Sequence, residues 1–124
     1  MEIKPPTKIK IGNSPTHGLG VFSTTKITKG EIIERCPFLL FPQSNLEKIP
    51  VFGNYSFCFP RSENWTNHAM VMGYGSFYNH SNSENVNWST DEDTFFFFST
   101  RDIEEGEELF INYANGFNPN DVVI

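Results

Sequence analysis

Gly73-Tyr74-Gly75-Ser76-Phe77-Tyr78-Asn79-His80-Ser81 is the stretch on which the reading turns. A polar triplet, Asn79-His80-Ser81, follows directly on aromatic residues, where an ordinary core strand would continue apolar. An asparagine amide both donates and accepts, so Asn79 suits an ammonium or an amide edge. It suits equally a buried polar turn that satisfies nearby backbone groups. Further on stand Phe95-Phe96-Phe97-Phe98 and Gly106-Glu107-Glu108-Leu109-Phe110-Ile111-Asn112-Tyr113. The four phenylalanines read as a strand buried on both faces. Leu109 to Tyr113 reads as the last strong strand. Glu104, Glu105, Glu107 and Glu108 beside it read as a solvated turn.

Working outward, the chain alternates short apolar runs with Gly and Pro turns, the pattern of a mostly-β domain. Lys8 to Ile11 alternates like a strand, and Gly12 to Pro15 is a turn cluster. His17-Gly18-Leu19-Gly20-Val21-Phe22 carries two glycines into a strand, which permits either a bend or a ligand lying close to the backbone. Glu31 to Cys36 is a further strand, and Pro37 to Pro42 continues extended at an edge. Leu46 to Tyr55 allows a helical turn. Tyr55 to Phe59 alternates with its aromatics on one face. Ala69 to Met72 fits either a strand or a helical turn. Arg61 to Asn67 and Asn82 to Asn87 read as loops. The tail from Ala114 reads as loosely ordered.

There is also an internal echo. Phe22-Ser23-Thr24, Ile27 and Gly30-Glu31 recur as Phe98-Ser99-Thr100, Ile103 and Gly106-Glu107. Two copies do not make a solenoid, and they predict two similar corners of one sheet assembly.

The composition bounds the function. At 124 residues the chain makes one domain. Only 38% of it is apolar, but 13 residues are Phe, so a few large side chains fill the core. The net charge of −6 argues against nucleic acid and is compatible with a Lys/Arg-rich partner. No apolar run approaches the roughly 20 residues that span a bilayer, and Met1 to Pro6 has no apolar leader, so an intracellular protein is expected. Cys36 and Cys58 are expected as two reduced, packed thiols. His17, His68 and His80 are scattered with no Cys pair beside them, so no metal site is expected. A nucleophile elbow is missing, as are the third glycine and the helix of a dinucleotide fingerprint.

Taken in order, three segments resemble the SET-domain protein lysine methyltransferases, in particular their minimal viral and bacterial members. They are His17 to Phe22, Gly73 to Ser81, and Ser99-Thr100-Arg101-Asp102-Ile103-Glu104-Glu105 running on to Tyr113. The resemblance covers residues 8 to 117. It implies a single SET domain over residues 1–124, β-clip-like, with several small sheets around a knot-like crossing. Neither a pre-SET region nor a zinc-binding post-SET tail is expected. The implied cofactor is S-adenosyl-L-methionine, held by His17, Gly18, Leu19, Gly20, Tyr78, Asn79, His80 and Tyr113. Tyr113 would be the catalytic tyrosine. Tyr55, Phe57, Ile111 and Phe117 would line the lysine channel. Where the family commonly has Tyr or Phe two positions before the catalytic tyrosine, Ile111 leaves room for an already methylated amine and so points to di- or trimethylation. The loop after Ser81 lacks the family's Cys and Pro. The implied activity is methyl transfer to a lysine in a basic peptide, a histone tail being one candidate, with no direct contact to nucleic acid or membrane. A homodimer is one way to complete the channel. The rival readings are a catalytically silent SET-fold module that binds a peptide or the cofactor, and a plain structural β-domain.

Overall fold

The computed structural model describes residues 3–42, 56–59, 67–91 and 94–112. Within them the chain runs through β1 (Ile9–Asn13), β2 (Leu19–Ser23), β3 (Ile32–Cys36), β4 (Phe38–Pro42), β5 (Ser56–Phe59) and β6 (Asn67–Val71). A 3₁₀ turn, Gly75–Phe77, leads into β7 (Asn79–His80), followed by β8 (Val86–Thr90), β9 (Phe95–Ser99) and β10 (Glu108–Ile111). These strands make three small sheets, ordered β1-β2-β10-β7, β3-β9-β8 and β4-β6-β5. This is the mostly-β assembly of small sheets expected above. The Leu46–Tyr55 and Arg61–Thr66 segments and the tail fall outside the described residues.

The internal echo builds the frame. Ile27 and Ile103 form a two-way bridge, each N–H donating to the other's carbonyl at 2.8 Å. The Gly30 N–H donates to the Ser99 carbonyl at 2.9 Å, and the Gly106 N–H to the Ser23 carbonyl at 3.0 Å. The Ser99 hydroxyl donates to the Thr28 carbonyl, and the Ser23 hydroxyl to the Glu104 carbonyl. Each hydroxyl also accepts at 3.1 Å, Ser99 from the Glu31 N–H and Ser23 from the Glu107 N–H. Each of these bonds is therefore repeated by the other copy with the partners exchanged. Gly30 and Gly106 close the two turns at φ of +85° and +83°, a backbone region that favours glycine. Both serines are buried, so each turn carries a polar group that only the other turn can satisfy. The expected similar corners are thus interlocked.

Aromatic residues of β5, β8 and β9 close the core. Phe95 and Phe97 on β9 are fully buried, and Trp88 on β8 stacks on Phe95 at 5.3 Å. Phe57 of β5 meets the edges of Trp88, Phe95 and Phe97 at 5.1, 5.5 and 6.0 Å. These rings join the second sheet to the third. Burying each contributes roughly 2–3 kcal/mol of transfer free energy.

Two sequence expectations need correction here. The phenylalanine strand is not buried on both faces: Phe96 and Phe98 are half-buried, and Phe96 carries the Arg35 guanidinium 5.3 Å above its ring. The reason is that β9 is the middle strand of a sheet with only one face on the core. Asn87 is not in a loop, because β8 begins at Val86. Val86 and Trp88 alternate with Asn87 and Ser89, and the two apolar side chains alone commit the strand to the core.

Candidate active site

Three strands bring the three segments together. The chain leaves β7, travels out through β8 and β9, and returns as β10 between β2 and β7. On one side β10 pairs antiparallel with β2, matching Glu108 to Phe22 and Leu109 to Val21. On the other it pairs parallel with β7, matching Phe110 to Asn79 and Ile111 to His80. A parallel pair requires such a long crossover. Asn85 locks it. Its fully buried amide accepts the Phe110 N–H at 2.8 Å and donates to the Glu108 carbonyl at 2.9 Å, so it pairs with β10 as a peptide group would.

The Asn79 side chain lies across the first segment. Its Nδ2 donates to the His17 and Leu19 carbonyls, each at 3.1 Å, and to Glu108 Oε2 at 2.9 Å. The other carboxylate oxygen, Glu108 Oε1, accepts the Ser14 hydroxyl at 2.8 Å. Ser14 Oγ in turn accepts the Thr16 and His17 N–H groups at 3.1 and 3.3 Å, which shapes the turn ahead of β2. Gly18 takes a φ of +50° in that turn, with open space where a side chain would stand. At Gly20 a Cβ would collide with Glu108 Oε2 and come within 3.0 Å of Asn79 Nδ2. Here only glycine lets the two side chains meet over the backbone.

Behind the site lies a second polar group. Glu34 on β3 is buried, accepts the Tyr78 hydroxyl at 3.0 Å, and accepts the Tyr74 N–H at 3.0 Å. Burial pushes its carboxyl above the ordinary value, against the opposing hydrogen bonds from Tyr74, Tyr78 and Cys36. Burial, the nearby Glu34 charge and a hydrogen bond to Glu34 all push the Cys36 thiol up, so this cysteine is a packed, inert thiol. Burial first, then the charge of Glu34, pushes the Tyr78 hydroxyl well above its usual range.

The expected site residues divide accordingly. His17, Gly18, Leu19, Gly20 and Asn79 converge, with His80 next to Asn79 on β7. Tyr78, expected at the cofactor, turns its ring into the core, where it stacks on Phe97 at 4.5 Å. What it can offer a cofactor is backbone. Phe57, expected on the lysine channel, stands in the aromatic core, and Ile111 is buried in β10. Tyr55, Tyr113 and Phe117 lie outside the described residues, as does the Cys58 side chain. Among the described residues no three His, Cys, Asp or Glu side chains gather as metal ligands.

Glu108 and Asn85 escaped the sequence reading. Glu104 and Glu105 are exposed, as a solvated turn would be, but Glu108 is buried at 8% exposure. Strand alternation groups Glu108 with half-buried Phe110 and not with buried Leu109 and Ile111, so it does not reveal this burial.

The donor set suits the amino-acid end of a cofactor. The carbonyls of His17 and Leu19 and the Glu108 carboxylate converge on the Asn79 carboxamide, so four groups with accepting oxygens lie close together. Such a set accepts hydrogen bonds from an ammonium, and the bare Gly18 and Gly20 backbone allows close approach.

Comparison with known proteins bears on the family and the fold. Residues 18–114 match the SET domain. A Schizosaccharomyces pombe protein, histone-lysine N-methyltransferase, H3 lysine-37 specific, is 28% identical over 112 residues, covering 86% of this chain and 74% of its own. The crystal structure of a candidate histone methyltransferase from Plasmodium falciparum superposes with a TM-score of 0.70 at 30% identity, over 90% of this chain and 96% of that one. A SET8 protein from Cryptosporidium superposes with a TM-score of 0.67 at 25% identity, over 86% of this chain and 57% of that one. The chain belongs to the SET-domain family.

Proposed function

We propose that this chain is an S-adenosyl-L-methionine-dependent protein-lysine N-methyltransferase acting on a basic, extended peptide segment, with a histone tail as the first candidate. The observation that carries the reading is the meeting of Asn79 with the His17 and Leu19 carbonyls, which joins the first and second family segments at one point. The fission yeast histone-lysine methyltransferase and the Plasmodium candidate histone methyltransferase support lysine in histones as the target class. The surplus of 15 acidic over 9 basic residues favours a Lys/Arg-rich sequence around it.

The cofactor supplies an electron-poor methyl group on a sulfonium. In this reading His17, Leu19 and Asn79 hold its amino-acid end, and the His80 backbone meets its adenine. The chain's main contribution is placement, because in-line transfer to an amine depends on alignment. Tyr113 follows directly on Asn112 and would orient the lysine amine through its hydroxyl, while a water path takes the proton. Ile111 would set the room left for methyl groups already on the amine.

The test is methyl transfer from labelled S-adenosylmethionine to core histones and to whole-cell lysate, beside calorimetric titration of the cofactor. Label on histones supports both enzyme and substrate class. Label only on other proteins keeps the enzyme and discards the histone. Cofactor binding with no label anywhere overturns the catalytic reading in favour of a silent binding module. Tyr113→Phe is expected to lower turnover by about 100-fold or more, the scale of positioned acid-base groups, with cofactor affinity unchanged. Full activity in that variant would remove Tyr113 from the chemistry.

A further inference from the structure

We propose that Glu108 is the positioning residue of the cofactor site, setting the direction of the Asn79 amide and the shape of the turn that presents the His17 carbonyl. The inference rests on the function proposed above and adds to it a residue that sequence motifs leave as a surface acid.

The argument begins with an ambiguity. A carboxamide has one accepting and one donating end, of similar size, and can sit either way round. At Asn79 three acceptors face a single end of the amide: the His17 carbonyl, the Leu19 carbonyl and the Glu108 carboxylate. Only the NH₂ group can stand there. The oxygen is then turned away from all three, and among the described residues no donor reaches it. An acceptor held in one orientation is what an ammonium requires. Of the three acceptors Glu108 alone carries charge, so its hydrogen bond is the strong one. With two carbonyls alone the preference would be weaker, and the amide could turn to offer its NH₂ to the ligand.

The same carboxylate works on the other side of the site. Glu108 Oε1 takes the Ser14 hydroxyl proton at 2.8 Å, which leaves the lone pairs of Ser14 Oγ for the Thr16 and His17 N–H groups. One buried acid therefore ties β10 to the first segment through Ser14 and to the Asn-His-Ser segment through Asn79. Gly20 makes this possible, since any side chain there would occupy the place of the carboxylate.

The experiment compares Glu108→Ala and Glu108→Gln, alone and on an Asn79→Ala background. Calorimetry reads the affinity for S-adenosylmethionine, and ¹⁵N NMR reads the Asn79 side-chain amide without ligand. A glutamine turned with its oxygen toward Asn79 keeps that accepting group and loses only the bond from the Ser14 hydroxyl, which an NH₂ cannot accept. Glu108→Gln is therefore expected to hold cofactor affinity within about 3-fold and to keep two distinct, exchange-protected amide protons. Glu108→Ala is expected to raise the Kd roughly 10–100-fold, the span of a lost charge-assisted hydrogen bond, and to merge or broaden those signals. In the absence of Asn79 the alanine substitution is expected to add little further loss. Equal losses with and without Asn79 overturn the inference, as do equal losses for Gln and Ala, which would mean direct contact by charge. An unchanged Asn79 amide signal in Glu108→Ala also overturns it, whether or not cofactor binds. If the wild-type chain binds no cofactor while the amide signals behave as expected, the proposed function fails and the positioning of Asn79 by Glu108 stands.

Discussion

The two copies of the internal echo share one hydrogen-bond scheme and do opposite things. In one pairing β2 lies against β10, in the other β9 lies against β3. Glu108 opposite Phe22 corresponds to Ile32 opposite Phe98. Yet Glu108 is 8% exposed and Ile32 46%, the reverse of what an acid and an isoleucine ordinarily prefer. Gly20 corresponds in the same way to Phe96. The neighbours explain the inversion. The first sheet continues past β10 to β7, which brings Asn79, whereas β3 ends its sheet. A shared frame thus supplies rigid backbone twice. Where a further strand covers it, the frame holds a polar site. Where none does, the same face stays partly open, with Ile32 exposed and Phe96 half-buried under Arg35.

That contrast can be broken by substitution. The largest stability effect is expected in the aromatic half: Phe97→Ala should cost about 4 kcal/mol in chemical denaturation. The corresponding Val21→Ala, also fully buried, should cost roughly half as much. Equal losses would mean that the core is not concentrated around β9. Next comes Gly20→Ala, whose Cβ displaces Glu108 and Asn79. It should abolish detectable cofactor binding while lowering stability by ~1–2 kcal/mol, whereas Phe96→Ala should leave binding intact. Retained binding in Gly20→Ala would remove the cradle from the site.

Smaller and matched effects should follow in the turns. Ser23→Ala and Ser99→Ala each remove hydroxyl hydrogen bonds that tie one turn to the other, so each should cost about 1–2 kcal/mol, equal to within ~0.5. Unequal losses would show that the two turns differ energetically despite identical bonding. The smallest effect concerns Glu34, which corresponds to Phe110 in the second copy. Because burial raises its folded pKa, the unfolded chain ionises first. Its contribution to stability is complete below the unfolded value near 4.5 and declines as pH rises toward the folded one. Glu34→Gln cannot ionise. Apart from a constant offset from its altered hydrogen bonds, its Tm should therefore gain on wild type as pH rises above about 4.5. A difference that does not vary with pH would show that Glu34 titrates as an exposed acid does.

Much of the site was legible because it lies in contiguous segments. The echo was visible too, since it depends on local turn chemistry: a glycine able to adopt positive φ and a serine spaced to reach across. Glu108 was not, because a glutamate among four glutamates reads as solvated. Its burial follows from Ser14, 94 positions away, and from Asn79, 29 positions away. Asn85 was hidden for the same reason, its partners being backbone groups of β10. The strand β8 was missed because only two of its five residues are apolar, and their value comes from Phe57, Phe95 and Phe97.

By itself, then, the sequence determined the mostly-β class, the order of the three family segments and the paired corners, all of which rest on period, turn residues and adjacency. Tertiary structure alone decided which acid is buried, which way the Asn79 amide faces, and that Tyr78 and Phe57 belong to the core. Those outcomes depend on groups distant in the chain competing for the same space and the same protons.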